Sequence, residues 1–296
     1  MIVSHRGLRV PELGAVAFDH SVLHPSFRVA LMERDGVMVD DALFARAFPV
    51  RLDPSRRDLI VALEGRVRVR WPGRDVELRE GDFVVVGRDS GWTMRYEGRV
   101  RVLIVEWTAG ALSDATSVAG DGRLGARAWS AARAAVDPLA MHGPEPEIAA
   151  GVVELAAVLR AAGIPFERLT PAELARPSPP GLREIVHAAD AAICALSRAP
   201  ASVDLERIVG WSARHVQRRL RSAHAQFGFN ASGGVRDLLG RWRIYAAAML
   251  ASTPGATTER VAALTGYSGP APLCRAFAQR GLPSPGAIRG AVAAMG

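Results

Sequence analysis

The chain contains no lysine: all 37 of its basic residues are arginine, set against 30 acids for a net charge of +7. Such a choice is what a GC-rich genome would give, and no mechanism rests on it. Cysteine is almost as scarce. Cys194 and Cys274 are the only two, which rules out a disulfide framework and a four-cysteine zinc site. No apolar run reaches the roughly 18 residues that span a bilayer, and the opening residues, MIVSHRGLRVPELG, have no apolar stretch of signal-peptide type. The expectation is a cytoplasmic protein with no membrane partner. Histidine is absent from residues 58 to 107, the part of the chain richest in strand signals. What remains is a globular composition, 49% apolar and 23% charged, and 296 residues are enough for two domains with a core each.

The position of the charge is more informative than its size. From residue 200 onward there are twelve arginines and four acids (Asp204, Glu206, Asp237 and Glu259), an excess of eight that leaves the rest of the chain at −1. A basic unit joined to a near-neutral one is the electrostatic footprint of a nucleic-acid binder, because arginines release counterions from phosphates. A positive surface kept for solubility has the same composition, so charge alone leaves both readings open.

Residues 58–107 read as strands. Asp58-Leu-Ile-Val-Ala-Leu-Glu-Gly65 is a β-rich run ending at glycine, and Arg66-Val67-Arg68-Val69-Arg70-Trp71 alternates strictly. Pro72-Gly73-Arg74-Asp75 is a turn, and Gly81-Asp82 leads into Phe83-Val-Val-Val86. Val100–Trp107 closes the series, and residues 26–52 are expected to supply further strands. Short strands at regular spacing predict a small antiparallel barrel or sandwich. From about 111 the texture becomes helical, over 123–136 and 146–162, with Ile148, Val152, Leu155 and Leu159 forming a stripe that suits either a dimer interface or packing on the barrel. Three prolines within 177–180 mark a linker, placing a domain boundary near 178–181. A helix over 182–198 follows, with Leu182, Ile185, Val186, Ala189, Ile193 and Leu196 on its buried side. The divisions expected are 1–110 (sensing), 111–180 (helical dimerisation and linker) and 181–296 (all-helical).

The last third contains one pattern twice. In Ser202–Arg221 a short helix runs into Gly210, which can turn left-handed, and Ser212 then suits the N-cap of a second helix. There Val216 and Leu220 face inward, while Arg214, Gln217, Arg218 and Arg221 share the outer face. Arginine and glutamine are the side chains that reach guanine and adenine edges in the major groove. In Thr258–Phe277 the turn glycine is Gly266, the expected cap is Ser268, and Leu273 and Phe277 face inward. Its outer face (Ala271, Cys274, Arg275, Ala278) holds one arginine. Either copy alone could be an ordinary αα-hairpin. Two copies with glycines 56 residues apart, joined by a helix over about 235–252, point to DNA binding.

These motifs, GWSARHVQRRLR (210–221), RWRIYAAAML (241–250), VAALTGYSGPAPLCRAF (261–277) and GLPSP (281–285), resemble those of the AraC/XylS family of transcription regulators over about residues 182–290. The resemblance implies an α+β chain: a cupin-like antiparallel β-barrel with flanking helices, then an all-α domain with two helix-turn-helix units entering successive major grooves about 34 Å apart. It implies base contacts from Arg214, Gln217, Arg218 and Arg275, DNA contacts from Ser212, Arg221 and Ser268, and phosphate contacts from Arg241 and Arg243. Its implied partners are double-stranded DNA, a small-molecule effector, RNA polymerase and a second copy of the chain. The sequence departs from the family where Glu206 replaces the usual small residue beneath the turn, kept as Ala262 in the second unit. The segment 223–234 is also longer than the family loop, and the second outer face is bare, so the first unit is expected to supply most of the base reading.

EGRVRVRWPGRDVELREGDFVVV (64–86) resembles the hairpins of cupin barrels. Catalytic cupins bind metal through histidines on these strands, which this segment lacks, so neither a metal nor another cofactor is expected and the chain is read as a non-enzyme. His5, His20 and His24 lie earlier in the chain; His20-x3-His24 could fit a helix, yet it sits beside Pro25 without a third obvious ligand for a metal. A pocket for an organic effector is the better reading, with Arg28, Trp71, Trp92 and Trp107 as candidate lining residues. The alternatives are a metal-dependent cupin oxygenase with a DNA-binding tail, and an alkyl-transfer repair protein, which would need the cysteine cluster this chain lacks.

Overall fold

The computed structural model describes residues 1–37, 39–40, 56–87, 92–96, 98–108, 120–164, 166, 168–227 and 233–293. Among the described residues eleven strands come first: β1 (Ile2–Val10), β2 (Ala15–Leu23), β3 (Phe27–Asp35), β4 (Val39–Asp40), β5 (Arg56–Glu64), β6 (Val67–Trp71), β7 (Arg74–Leu78), β8 (Asp82–Gly87), β9 (Thr93–Tyr96), β10 (Val100–Thr108) and β11 (Gly120–Arg123). They form a seven-stranded sheet in the order β1-β2-β3-β10-β5-β8-β11 and a four-stranded sheet in the order β4-β9-β6-β7, with every pairing antiparallel. Ala30, Met32, Ile60, Val84, Val102 and Ile104 of the large sheet meet Val67, Val69, Trp71, Met94 and Tyr96 of the small one to make the barrel core.

The strict alternation at 66–71 is what a half-wet strand requires, and β6 buries Val67, Val69 and Trp71 while exposing Arg68 and Arg70. Strands β3, β5 and β10 are apolar on both faces because both faces of the large sheet are covered. Its second face packs on α1 (Ala126–Ala140) and α2 (Glu145–Ala161) through Val29, Leu31, Leu59, Val61, Leu103 and Val105. The stripe Ile148, Val152, Leu155 and Leu159 is buried in that same cluster. Packing within the chain therefore occupies it, and it is not available to a second copy.

Residues 2–23 carry no strand signal strong enough to read from sequence, because serine, histidine, arginine and glycine interrupt their apolar positions. They nevertheless pair as the β1–β2 hairpin, turned by Pro11–Leu13 and Gly14. His20 is therefore a strand residue, not one end of a helical His-x3-His pair. Of the region 26–52, strands β3 and β4 are present, and residues 41–52 lie outside the described set.

After the one-turn helix α3 (Pro171–Leu174), the all-helical part comprises α4 (Leu182–Cys194), α5 (Ser202–Val209), α6 (Ala213–Phe227), α7 (Gly234–Ala251), α8 (Thr258–Leu264), α9 (Pro270–Gln279) and α10 (Pro285–Ala293). The expected helix over 182–198 ends earlier, at Cys194, and Leu196–Arg198 form a 3-10 turn. The α+β class, a cupin-like antiparallel barrel with flanking helices followed by helices alone, is the class found. Helix α4 shares one core with Leu205, Val216, Leu220, Phe227 and Leu238, and Ile2 and Leu23 of the barrel enter it too. Edge strand β1 is thus covered by α4, with Asp190 accepting from the His5 backbone N–H (3.1 Å) and from Arg6 Nε (2.7 Å).

The two turn glycines have the same backbone but different neighbours. Gly210 has φ 68° and nothing within 4 Å of where a Cβ would stand, whereas at Gly266 (φ 74°) a Cβ would lie 2.4 Å from the Leu196 carbonyl oxygen. Alanine at Gly210 is expected to reduce stability by about 1–2 kcal/mol of left-handed strain alone. At Gly266 the same change should reduce it at least twice as much, because the second unit must lift off the 3-10 turn. Urea midpoints of the two variants measure this, and equal shifts would contradict it.

Candidate nucleic-acid interface and barrel-interior cluster

In the first unit the backbone N–H of Gly210 donates to the Glu206 carbonyl, the chain reverses, and α6 starts at Ala213 with the Ser212 carbonyl accepting from Val216 N–H (3.0 Å). Val216, Leu220, Ala223 and Phe227 are buried, which turns Arg214, Arg218 and Arg221 to solvent. No acid lies anywhere on α6. Gln217 sits at the margin of that face: it is half-buried, and a Cβ on Gly234 would fall 2.0 Å from its amide. Its side chain thus lies over the start of α7, beside the arginines rather than among them. On the flank, Arg219 Nε donates to His215 Nε2 (3.1 Å). Slight burial, then Arg218 and Arg219, hold His215 below its usual pKa. Glu206 is half-buried, and Leu205 is the residue packed beneath the turn.

In the second unit Thr265 Oγ1 donates to the Val261 carbonyl (2.7 Å) and Gly266 makes the reversal. The N-cap of α9 is Gly269, not Ser268, and it makes no side-chain capping bond. Proline prefers the first helical position, so Pro270 shifts the cap one residue onward. Ser268 is exposed beside it. Arg275 is exposed between Ala271 and Ala278, and Cys274 is half-buried.

Both residues expected to hold phosphate have partners within the fold. Arg241 Nε lies 2.9 Å from both carboxylate oxygens of Asp237, one turn earlier on α7. Arg243 donates to the Pro200 carbonyl (3.0 Å), tying α7 to the segment before α5. The first partner is an i,i+4 neighbour that helical spacing shows, and the second is brought in by the fold from 43 residues away.

Inside the barrel, Arg28 donates to Glu106 (2.9 Å) and Ser21 (3.1 Å), and Trp92 Nε1 donates to Asp58 (2.6 Å). Asp58 and Glu106 are buried. Burial pulls the Arg28 guanidinium down, but Glu106, Asp19 and Asp58 outweigh it and raise its pKa above the usual value. Trp71 faces the same interior. Trp107 does not: its ring packs edge-on to Phe166, 5.7 Å away, on the helix-covered face. Three of the four candidate lining residues therefore share the interior. Asp58, Glu106 and Ser21 were missed, although single charges within apolar runs (DLIVALE, VLIVEW) are a signal that could have found the two acids.

No family model matches the chain, and no curated protein matches it. Among solved structures it is similar to the AraC-like transcriptional activator CuxR, at 14% identity over 83% of this chain and 86% of that one, with a TM-score of 0.37. It is also similar to the Clostridium difficile EutQ protein (14% identity, 32% of this chain and 71% of that one, TM-score 0.25). A third is the Schizosaccharomyces pombe Cnp3 cupin domain (17%, 31% and 64%, TM-score 0.26). At these identities and scores the architecture rests on the strand order and helices described above. Among the described residues no helix is long and apolar enough to cross a membrane.

Proposed function

We propose that the chain is an effector-responsive, sequence-specific DNA-binding transcription regulator of the AraC/XylS type, acting as a homodimer that contacts RNA polymerase. The observation that carries this reading is the outer face of α6, where Arg214, Arg218 and Arg221 stand exposed on a helix that has no acid and whose other face is buried. Such a helix can enter the major groove, where guanidinium groups take guanine O6 and N7 in pairs or neutralise phosphates. The second unit, with Arg275 as the arginine on its outer face, positions the protein more than it reads bases. The barrel interior around Arg28, Glu106, Asp58 and Trp92 is the effector chamber. Arg34 Nη2 donates to Tyr245 of α7 (2.9 Å), so a change in the barrel has a direct mechanical route to the helix joining both units.

Binding to DNA from upstream of the chain's own reading frame should exceed binding to random duplex and fall steeply with salt. No preference over random duplex would overturn the reading. Arg214→Ala should lose about 1–3 kcal/mol of discrimination, as a bidentate base contact does. Arg275→Ala should weaken all sequences alike. A larger loss of specificity from Arg275→Ala would reverse the roles of the two units.

A further inference from the structure

His5 and His20 face each other across the β1–β2 ladder, as partners in register. Facing side chains in an antiparallel pair project from the same side of the sheet, here the side covered by α1 and α2. Their Nδ1 atoms are 2.8 Å apart. A third ring arrives from far along the chain. His142, in the turn that ends α1, holds a left-handed backbone (φ 55°) and stacks on His5 at 3.8 Å with 7° between the planes. Its centroid is 5.5 Å from that of His20. One nitrogen from each ring lies within 4.8 Å of the other two.

We propose that His5, His20 and His142 form a three-histidine site for a divalent transition metal ion of the zinc class, with a fourth position open to water at the exposed His142 edge. Three imidazoles are a donor set suited to zinc, copper or nickel and unsuited to magnesium or calcium. Nitrogens bound to zinc at about 2.0–2.1 Å in a tetrahedron lie roughly 3.3 Å apart. The His5–His20 pair is near that spacing already, and a cation takes the place of the proton that two facing ring nitrogens must otherwise share. Closing the remaining gap falls to His142, the exposed member on a turn, whose ring must also swing out of its stack on His5 so that both in-plane lone pairs point at one ion. The strained φ at His142 also fits a constrained position, since a non-glycine residue adopts it at some cost.

The surroundings match what a histidine ligand needs behind it. His20 turns its other nitrogen, Nε2, toward Glu33 Oε2 at 3.7 Å, an ion-pair distance from which a small turn of the ring makes the carboxylate–histidine hydrogen bond that fixes ring orientation in metal sites. Arg101 Nε holds Glu33 at 3.0 Å, and Arg101 Nη2 reaches Asp137 at 3.2 Å, on the same helix that delivers His142. A closed path thus runs from His20 through Glu33, Arg101 and Asp137 to the His142 turn. The site is distinct from the barrel interior, on the opposite face of the sheet. It also touches the seam with the helical part, since the backbone N–H of His5 is held by Asp190 of α4.

The test is a zinc titration of the full, chelator-stripped chain, followed by competition with a chromophoric chelator and with no DNA present. One equivalent per chain is expected. His142→Ala, at an exposed turn, should weaken binding at least tenfold with unchanged circular dichroism. Glu33→Gln should weaken it about 10- to 100-fold, as loss of an outer partner typically does. His24→Ala should have no effect, since His24 instead pairs with Ser26 (2.9 Å). Cobalt should give the visible spectrum of a four-coordinate nitrogen-rich site, lost in His142→Ala. Absence of stoichiometric binding would overturn the proposal, as would affinity unchanged in both His142→Ala and His20→Gln. The readout does not involve DNA, so its failure and failure of the regulator reading are separate events.

Discussion

Replacing Arg34 by methionine is expected to destabilise the whole chain by about 3–5 kcal/mol, the effect of removing one partner from a buried ion pair. Arg34 is 1% exposed, one of the largest fully buried side chains in the protein. Its guanidinium donates to Asp19 (2.6 Å), the Phe18 carbonyl (2.6 Å), Tyr96 (3.2 Å) and Tyr245 (2.9 Å). Burial lowers its pKa and Asp19 raises it; the net is well above the usual value, so the group is charged at every accessible pH. Methionine keeps most of the volume and removes every donor, which leaves the Asp19 carboxylate without its cation. Adding Asp19→Asn to Arg34→Met should therefore recover part of the loss. Tyr245→Phe removes the hydrogen bond that Arg34 donates to the phenol and should lower stability by about 1 kcal/mol. Urea unfolding followed by near- and far-ultraviolet circular dichroism measures each variant against the unaltered chain. A loss under 1 kcal/mol for Arg34→Met would show that the network contributes nothing net.

Arg214→Ala/Arg218→Ala/Arg221→Ala together should abolish specific DNA binding, with discrimination against random duplex falling on the order of 10,000-fold if each arginine gives about 2 kcal/mol, the middle of the usual range. To the extent that these arginines meet phosphates, the slope of log affinity against log salt becomes shallower by about 0.9 for each phosphate they no longer neutralise. All three side chains are exposed, and exposed substitutions of this kind change stability by roughly 0.5 kcal/mol or less. Normal unfolding together with abolished binding is the expected combination. Retained specific binding would move the interface off α6. The same substitutions should leave the zinc affinity of the histidine site untouched, since α6 is remote from it in sequence and contributes none of its ligands.

Much of the helical part was legible in the sequence because its signals are local. The apolar spacing at Val216 and Leu220, the glycines at 210 and 266, and the run 235–252 each report on a few neighbouring residues, and the structure places α6, both turns and α7 where those signals lie. The hairpin β1–β2 was not legible, since its polar residues mask the strand pattern until β3 and α4 cover it. The Ser268 cap was displaced by a proline whose effect is one residue long, a local rule with two competing terms.

Other features depend on how the chain packs. Trp92 and Trp107 read alike in sequence, yet they lie on opposite sides of the large sheet. β10 is apolar on both faces, so alternation carries no sign of which face is inward. Arg243 reads as a free cation, and the Pro200 carbonyl, 43 residues away, engages it. The histidines make the clearest case. Two meet through hairpin register and the third through the docking of α1, a pairing over more than a hundred residues that local pattern cannot encode. Periodicity and turn chemistry act within a few residues, and they suffice for the α+β class, the two helix-turn-helix units and the arginine face of α6. Which side chains converge into sites is set by strand register and helix packing, which act across the whole chain.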